Sequence, residues 1–152
     1  MESLYFEDFN IGDEFISPTR TVTETDVVLF AGMTGDWNLI HADEEFAKKS
    51  MFGTRIAHGL LGLSLGMGLL QRLGIVSSTG IAYISLPKWE FTGPIKIGDT
   101  IMSKTKVIAK RETTKPDRGL ITFSMSVLNQ KGEEVQRGEH LLMVAKKPTS
   151  SR

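Results

Sequence analysis

The chain has 152 residues, of which 40% are hydrophobic and 24% are charged, a composition typical of a globular domain with one sizeable core. Its 18 basic residues balance its 18 acidic residues, so it lacks the basic excess with which nucleic-acid binders neutralise phosphates. It contains no cysteine, which excludes disulfides, thiolate metal sites and cysteine nucleophiles.

The sequence predicts one cytoplasmic domain. Residues 1–15 (MESLYFEDFNIGDEF) are acidic. They lack the basic segment followed by an apolar segment that is typical of a signal peptide. The apolar stretch from Gly59 to Leu70 is shorter than the roughly 20 residues that a membrane-spanning helix needs. No repeat or linker divides the chain, so we expect residues 1–152 to form a single domain with a polar tail over residues 146–152, and no membrane or nucleic-acid partner.

The first half of the chain is predicted to combine an extended segment with short helices. Residues 14–21 (EFISPTRT) look extended, and their proline suggests a bend or an edge position. The sequence Thr23 to Asp26 (TETD) resembles a capping box and predicts a short helix, which Gly32, Gly35, Asp36 and Asn38 break into a loop. Acids followed by lysines within residues 43–49 predict a further short helix, because these charges suit the helix dipole.

Residues 58–73 (HGLLGLSLGMGLLQRL) predict a longer helix that is apolar on nearly every side and therefore buried. Each glycine within it costs about 1 kcal/mol relative to alanine, so a compensating contact is expected. Gly59, Gly62 and Gly66 share one helical face. We expect a sheet or a ligand to approach the helix backbone closely on that face.

The second half predicts strands. Four segments carry β-branched residues with period-two patterning: 80–91, 100–111, 119–129 and 134–146. Residues 129–132 (NQKG) suit a hairpin turn. Helices followed by a run of antiparallel strands indicate the α+β class, with a curved sheet wrapped around one buried helix.

The loop Gly35-Asp36-Trp37-Asn38-Leu39-Ile40-His41 places a carboxylate and an imidazole five residues apart. A loop can direct such a pair into a cleft, where the two groups orient and deprotonate a water molecule. The same residues also suit a structural role, with Asp36 and Asn38 forming turns and His41 capping a helix. The residues alone leave both interpretations open.

A second candidate lies at the start of the long helix, at His58-Gly59. Free backbone N–H groups and the partial positive charge of a helix N-terminus suit a developing oxyanion. The alternative is that His58 caps the helix and Gly59 permits close packing.

Residues 35–66 (GDWNLIHADEEFAKKSMFGTRIAHGLLGLSLG) closely resemble the signature of MaoC-like dehydratases, the R-specific enoyl-CoA hydratases (hydratase 2) of the hotdog fold. Residues 86–101 (LPKWEFTGPIKIGDTI) resemble the strand and Gly-Asp turn that follow in this family, and residues 9–13 (FNIGD) extend the resemblance over nearly the whole chain. One departure is Leu39, where the family often has proline.

The resemblance implies roles for individual residues. Asp36 and His41 match the catalytic pair, and Asn38 matches the loop amide between them. Ser64 matches a hydroxyl that lies close to the pair in some members. Gly59 is expected to offer its backbone N–H to the oxyanion, with His58 in a supporting role.

The resemblance further implies a hotdog fold and a homodimer or dimer of dimers, with an acyl tunnel near the dimer interface. It implies reversible hydration of trans-2-enoyl thioesters, carried on CoA or acyl carrier protein, to (R)-3-hydroxyacyl thioesters, with no cofactor and no metal. The alternatives within the fold are an acyl-CoA thioesterase and a non-catalytic acyl-thioester-binding protein. Candidate tunnel residues are Met33, Trp37, Met67, Trp89 and Phe91.

Three other patterns are judged weaker. Residues 62–66 (GLSLG) match the G-x-S-x-G of serine hydrolases, but they lie in a helical pattern without the strand–turn–helix context of a nucleophile elbow. Asp36, His41 and His58 are acceptable metal ligands, but their spacing matches no known metal motif. Lysines along the second strand form a basic stripe that is predicted to be a solvated face.

Overall fold

The computed structural model describes residues 2–149 and confirms the α+β class. Within these residues an antiparallel sheet of six strands packs against one long helix, and shorter helices precede it. The helices are α1 (Glu24–Thr34), α2 (Leu39–Ala42), α3 (Glu44–Lys48) and α4 (Gly59–Gln71), with a 3-10 turn at Phe6–Asp8. The strands are β1 (Glu14–Ile16), β2 (Arg20–Thr21), β3 (Gly80–Phe91), β4 (Thr100–Glu112), β5 (Arg118–Leu128) and β6 (Glu134–Ala145).

The four long strands follow the predicted segments to within one residue at each end. Their order in the sheet is β1-β4-β5-β6-β3, and β2 also pairs with β4. The predicted turn between β5 and β6 is confirmed: the N–H of Gly132 donates to the Asn129 carbonyl at 3.0 Å, and Gly132 has a φ of +77°. Strand β3 therefore lies at an edge of the described sheet, far along the chain from the strands at the opposite edge.

The predicted capping box is present at the start of α1. Thr23 Oγ1 accepts the N–H of Asp26 at 3.2 Å, and Asp26 Oδ2 accepts the N–H of Thr23 at 2.9 Å. Of the residues predicted to break this helix, Gly35 ends it, but Gly32 does not, because α1 continues to Thr34. A helix interior tolerates glycine at modest cost, whereas Gly35 adopts a φ of +78° and ends the helix with its N–H on the Ala31 carbonyl.

The glycines of α4 allow the sheet to approach the helix, as one of the two sequence-based explanations predicts. An ideal Cβ on Gly62 would lie 2.3 Å from the side-chain nitrogen of Gln136, and one on Gly59 would lie 2.8 Å from the Phe91 ring. A Cβ on Gly66 would lie 2.9 Å from Val127. Side chains from three strands thus occupy the space that these glycines leave.

The prediction that α4 is buried on nearly every side is wrong for the single chain. Leu60 is 60% exposed, and Ser64 and Gly68 are also exposed at the same helical spacing. The sheet covers only the face that carries the closely packed glycines, which leaves this opposite stripe open. The exposed Leu60 side chain leaves apolar surface on this side of the helix.

The lysines of the predicted basic stripe on β4 have partners within the fold. Lys104 and Lys106 each lie 3.4 Å from a carboxylate oxygen of Glu14, and Lys110 donates to the Phe9 carbonyl. The polar tail begins as predicted but is partly anchored, since Lys147 pairs with Asp8. Its last residues, 150–152, lie outside the described residues.

Candidate active site

The loop after α1 directs Asp36 toward the start of α4. The Asp36 carboxylate accepts the N–H of Asn38 at 3.2 Å, and Asn38 Oδ1 in turn accepts the N–H of Ile40 at 3.2 Å, which caps α2. Short polar side chains favour such local turns. Helix α2 then carries His41 back toward Asp36.

Arg55 holds the helices on either side of this loop. Its guanidinium contacts Glu24 of α1 and Glu44 of α3, each at 2.7 Å. The hydrogen bond from Arg55 lowers the pKa of the Glu44 carboxyl. The loop therefore lies between two helices that one side chain joins.

A backbone carbonyl determines the tautomer of neutral His41. His41 Nδ1 lies 2.7 Å from the Ile56 carbonyl oxygen. Because a carbonyl oxygen only accepts hydrogen bonds, Nδ1 carries the proton and Nε2 has a free lone pair. His41 is thus prepared to accept a hydrogen bond or a proton at Nε2.

His58 supports the loop through a second contact of the same kind. Its Nε2 donates to the backbone carbonyl of Asp36 at 2.9 Å, and its ring stacks on that of His41 with a centroid distance of 3.9 Å. The side chain is buried, and Nδ1 has no partner among the described residues. His58 precedes α4 without capping it through its side chain, so the structure favours the supporting role over the capping role.

Asp36, His41 and His58 converge. A carboxylate oxygen of Asp36 and one ring nitrogen of each histidine all lie within 4.8 Å of one another. These residue types can hold a divalent cation, and they can equally act as acid–base groups on a water molecule. The Asp36 carboxylate and His41 Nε2 are both hydrogen-bond acceptors, so one water molecule can donate one of its two O–H groups to each.

The three residues line a cavity of about 860 Å³ that also reaches Gly59, the first residue of α4. Its remaining wall is mainly apolar, with side chains from α1, α4, β3 and the segments before α4 and after β3: Phe30, Ile56, Leu60, Phe91 and Ile95. The first N–H groups of a helix have no partner within the helix. An apolar ligand with one polar group near Gly59 therefore matches the cavity.

The cavity contains some of the predicted site residues and not others. Asp36, His41, His58 and Gly59 line it, whereas Asn38 acts through the loop. Ser64 is not among the residues that line it, and its hydroxyl donates to the Leu60 carbonyl of its own helix at 2.8 Å. A serine within a helix commonly bonds to the carbonyl four residues earlier.

Among the candidate tunnel residues, only Phe91 lines the cavity. Met67 and Trp89 pack against the core, and Met33 and Trp37 are exposed. Gln136, which no sequence pattern singled out, lines the cavity from β6 and is only 2% exposed. The sequence signal that could have identified Gln136 is a polar residue at a core-facing position of a strand in which polar and apolar residues alternate.

Two further sequence interpretations can be assessed. The G-x-S-x-G pentapeptide, residues 62–66, lies wholly inside α4, which agrees with the argument against a serine hydrolase. Over residues 2–149, the structure contains no helix that is both long and apolar enough to cross a membrane.

Comparison with known proteins identifies the family. Residues 8–127 match the family described as "MaoC like domain". The chain is 32% identical over 140 residues to the (R)-specific enoyl-CoA hydratase of Rhodospirillum rubrum, covering 92% of this chain and 91% of the relative. It is 38% identical over 144 residues to the 3-hydroxybutyryl-CoA dehydratase of Methylorubrum extorquens, covering 95% and 86%. The chain spans a third of the length of a further relative, Protein MaoC of Klebsiella aerogenes.

A solved structure agrees with this assignment. The crystal structure of the MaoC-like dehydratase from Rhodospirillum rubrum superposes with a TM-score of 0.84 at 31% identity, over 97% of this chain and 100% of that one. The antiparallel sheet packed on one long helix is the hotdog fold, as the sequence resemblance implies. The chain therefore belongs to the MaoC-like domain family.

Proposed function

We propose that the protein is a hydro-lyase that reversibly adds water to trans-2-enoyl thioesters, giving (R)-3-hydroxyacyl thioesters. The observation that carries this proposal is the convergence of Asp36 and His41 beside the first residue of α4 in a mainly apolar cavity. Hydration needs a group that deprotonates water and a group that stabilises enolate charge, and this arrangement offers both. The names of the relatives from Rhodospirillum rubrum and Methylorubrum extorquens support the reaction class.

In the proposed mechanism, Asp36 and His41 hold one water molecule between their acceptor atoms. As the water oxygen bonds to C3 of the substrate, Asp36 takes its proton, and the carbon–carbon π electrons move toward the thioester oxygen. The proton then passes through His41 Nε2 to C2 as the enolate collapses. Both side chains return to their starting states, so the proposed step needs no cofactor or metal.

The thioester oxygen is proposed to accept the N–H of Gly59. A helix N-terminus stabilises negative charge through free N–H groups and its dipole. Loss of one such donor typically costs about 2.7–4 kcal/mol in the activation barrier. His58 helps to keep this turn beside Asp36, because its ring donates to the Asp36 carbonyl.

We propose that CoA rather than a carrier protein holds the acyl group. A second groove of about 340 Å³ shares Thr92, Gly93 and Pro94 with the cavity. It contains Lys96 and Lys131 but also three carboxylates, from Asp99, Glu133 and Glu134. The mixed charges of this groove favour neither carrier, because CoA phosphates and an acidic carrier protein are both negatively charged. The choice of CoA is supported by the names of the relatives from Rhodospirillum rubrum and Methylorubrum extorquens, an enoyl-CoA hydratase and a 3-hydroxybutyryl-CoA dehydratase.

The test of the function is the absorbance of the enoyl-thioester band with crotonyl-CoA. We expect the wild-type protein to remove the band without releasing thiol and to form the R isomer. Thiol release would identify a thioesterase, and saturable binding without either change would identify a non-catalytic binding protein. A higher kcat/KM with crotonyl-acyl carrier protein than with crotonyl-CoA would overturn the choice of carrier.

A second expectation is a homodimer that forms through β3. This strand pairs only with β6 in the described sheet, and it exposes the apolar residues Ile81, Ile84, Leu86 and Phe91. An unpaired edge and an adjacent apolar surface favour association with another strand. Light scattering after gel filtration should give at least twice the chain mass of 16.8 kDa, and four times for a dimer of dimers. A monomer at micromolar concentration would contradict this expectation.

A further inference from the structure

Gln136 connects the sheet to the first turn of α4. Its Nε2 donates to the Gly59 carbonyl at 2.8 Å, and its Oε1 accepts the indole N–H of Trp89 at 3.2 Å. It pairs in register with Phe91 across β6 and β3, and both side chains lie over glycines of α4. The amide is therefore held on the helix backbone and not merely close to it.

This contact lies at the peptide group that follows the proposed oxyanion donor. Gly59 is a helix-terminal residue without a side chain, so its backbone dihedral angles have few intrinsic restraints. Before Gly59, the N–H of Ala57 donates to Ile95 at 2.8 Å and His58 donates to Asp36. After Gly59, Gln136 supplies the contact from the sheet.

An oxyanion site is effective when its donors are oriented before the charge develops. A displacement of about 1 Å that originates away from the reacting atoms can cost about 10²-fold in rate. Gln136 is also nearly fully buried, so its amide has little freedom to exchange the Gly59 carbonyl for water.

We propose that Gln136 is a positioning residue that holds Gly59 in the orientation required to polarise the thioester carbonyl. This inference rests on the proposed hydration reaction. Gln136 lies on β6, distant in sequence from Asp36 and His41, and it would control the geometry of the oxyanion site.

The test compares wild-type protein with Gln136→Met, which keeps the length of the side chain and removes both hydrogen bonds. Butyryl-CoA labelled with ¹³C at the carbonyl is an unreactive probe, and its infrared carbonyl stretch moves to lower frequency when the oxygen accepts a hydrogen bond. We expect Gln136→Met to lose at least half of the shift that wild type induces. For crotonyl-CoA, kcat should fall about 10- to 100-fold while KM changes less than about threefold.

Two further variants separate positioning from packing. Trp89→Phe removes the other hydrogen bond of the amide but leaves the bond to Gly59, so kcat should stay within about threefold of wild type. Gln136→Glu can donate to the Gly59 carbonyl only while its carboxyl is protonated, so its kcat relative to wild type should fall as the pH rises. These two variants and thermal melting keep the test decisive if Gln136→Met does not fold.

The outcomes distinguish this inference from the proposed function. Suppose that the wild type hydrates crotonyl-CoA. The role of Gln136 alone would then be refuted if Gln136→Met kept the wild-type kcat and the full wild-type carbonyl shift, or if the kcat of Gln136→Glu relative to wild type did not change with pH. A carbonyl shift that depends on Gln136 in a protein without hydratase activity would support the positioning role and refute hydration. Neither a carbonyl shift nor hydration in the wild type would refute both.

Discussion

Replacing Asp36 with asparagine should lower kcat for the hydration of crotonyl-CoA by about 10³-fold, within the range attributed to a positioned acid–base group. Asparagine keeps the size and an acceptor oxygen for the N–H of Asn38, but it cannot take a proton from water. His58 donates to the backbone carbonyl of residue 36, so that contact does not depend on the carboxylate. The loop should therefore keep its conformation while the chemistry is lost.

Asp43→Asn is the matched control for this variant. Asp43 is also an exposed carboxylate, seven residues further along, but it caps α3 by accepting the N–H of Phe46 at 2.9 Å and does not line the cavity. We expect this variant to keep wild-type kcat and stability, because asparagine is also a good N-cap residue. An Asp36→Asn protein with more than a tenth of wild-type kcat would refute the assignment of Asp36 as the base.

The second large effect concerns stability and involves His140 on β6. This side chain is buried, and its ring stacks on Phe123 with a centroid distance of 4.9 Å and meets Tyr83 edge-on. Its Nδ1 has no partner among residues 2–149. Burial lowers the pKa of His140 to about 4, from an ordinary value of 6.5.

The direction of the pH effect follows from proton binding in the two states. Between pH 6.5 and pH 4 the unfolded chain binds a proton at this histidine, whereas the folded chain does not. The free energy of unfolding therefore falls as the pH decreases through this interval. Because of His140, the free energy of unfolding should be lower by about 2 kcal/mol at pH 5 than at pH 8, and lower by about 3 kcal/mol below pH 4.

Denaturant unfolding at fixed protein concentration, repeated between pH 8 and pH 4.5, measures this effect. His140→Phe retains a flat ring for stacking on Phe123 and removes the titrating group. Other groups that titrate between pH 8 and pH 4.5 are common to both proteins, so the difference between the two curves isolates His140. A difference that stays constant with pH would contradict the assigned pKa shift.

Local patterns in the sequence predicted the four long strands and the start of α1, and short motifs pointed to the candidate site residues. Strand boundaries followed from period-two patterning, and the capping box of α1 followed from residues three positions apart. Asp36, His41, His58 and Gly59, which the resemblance singles out as candidate site residues, all line one cavity. These features depend on residues that are close in sequence or on the motif within residues 35–66.

Features that depend on distant contacts were not predictable in the same way. The exposed stripe of α4, including Leu60, is visible only when the sheet is seen to cover one face of the helix. Ser64 had to be located before its hydroxyl could be assigned to its own helix. A glycine such as Gly32 can lie inside a helix or end one, and in the structure α1 continues past Gly32 to Thr34.

The sequence by itself determined the fold class and the family and pointed to Asp36 and His41, because each is encoded in local patterning or in a short motif. Only the tertiary structure decided which contacts orient these side chains and set the tautomers of the histidines. The Ile56 carbonyl sets the tautomer of His41, the Asp36 carbonyl that of His58, and Gln136 holds Gly59 across 77 residues of chain. Hydrogen bonds to backbone carbonyls carry no signature in the sequence, since every residue has a carbonyl group and only folding selects which one is in reach.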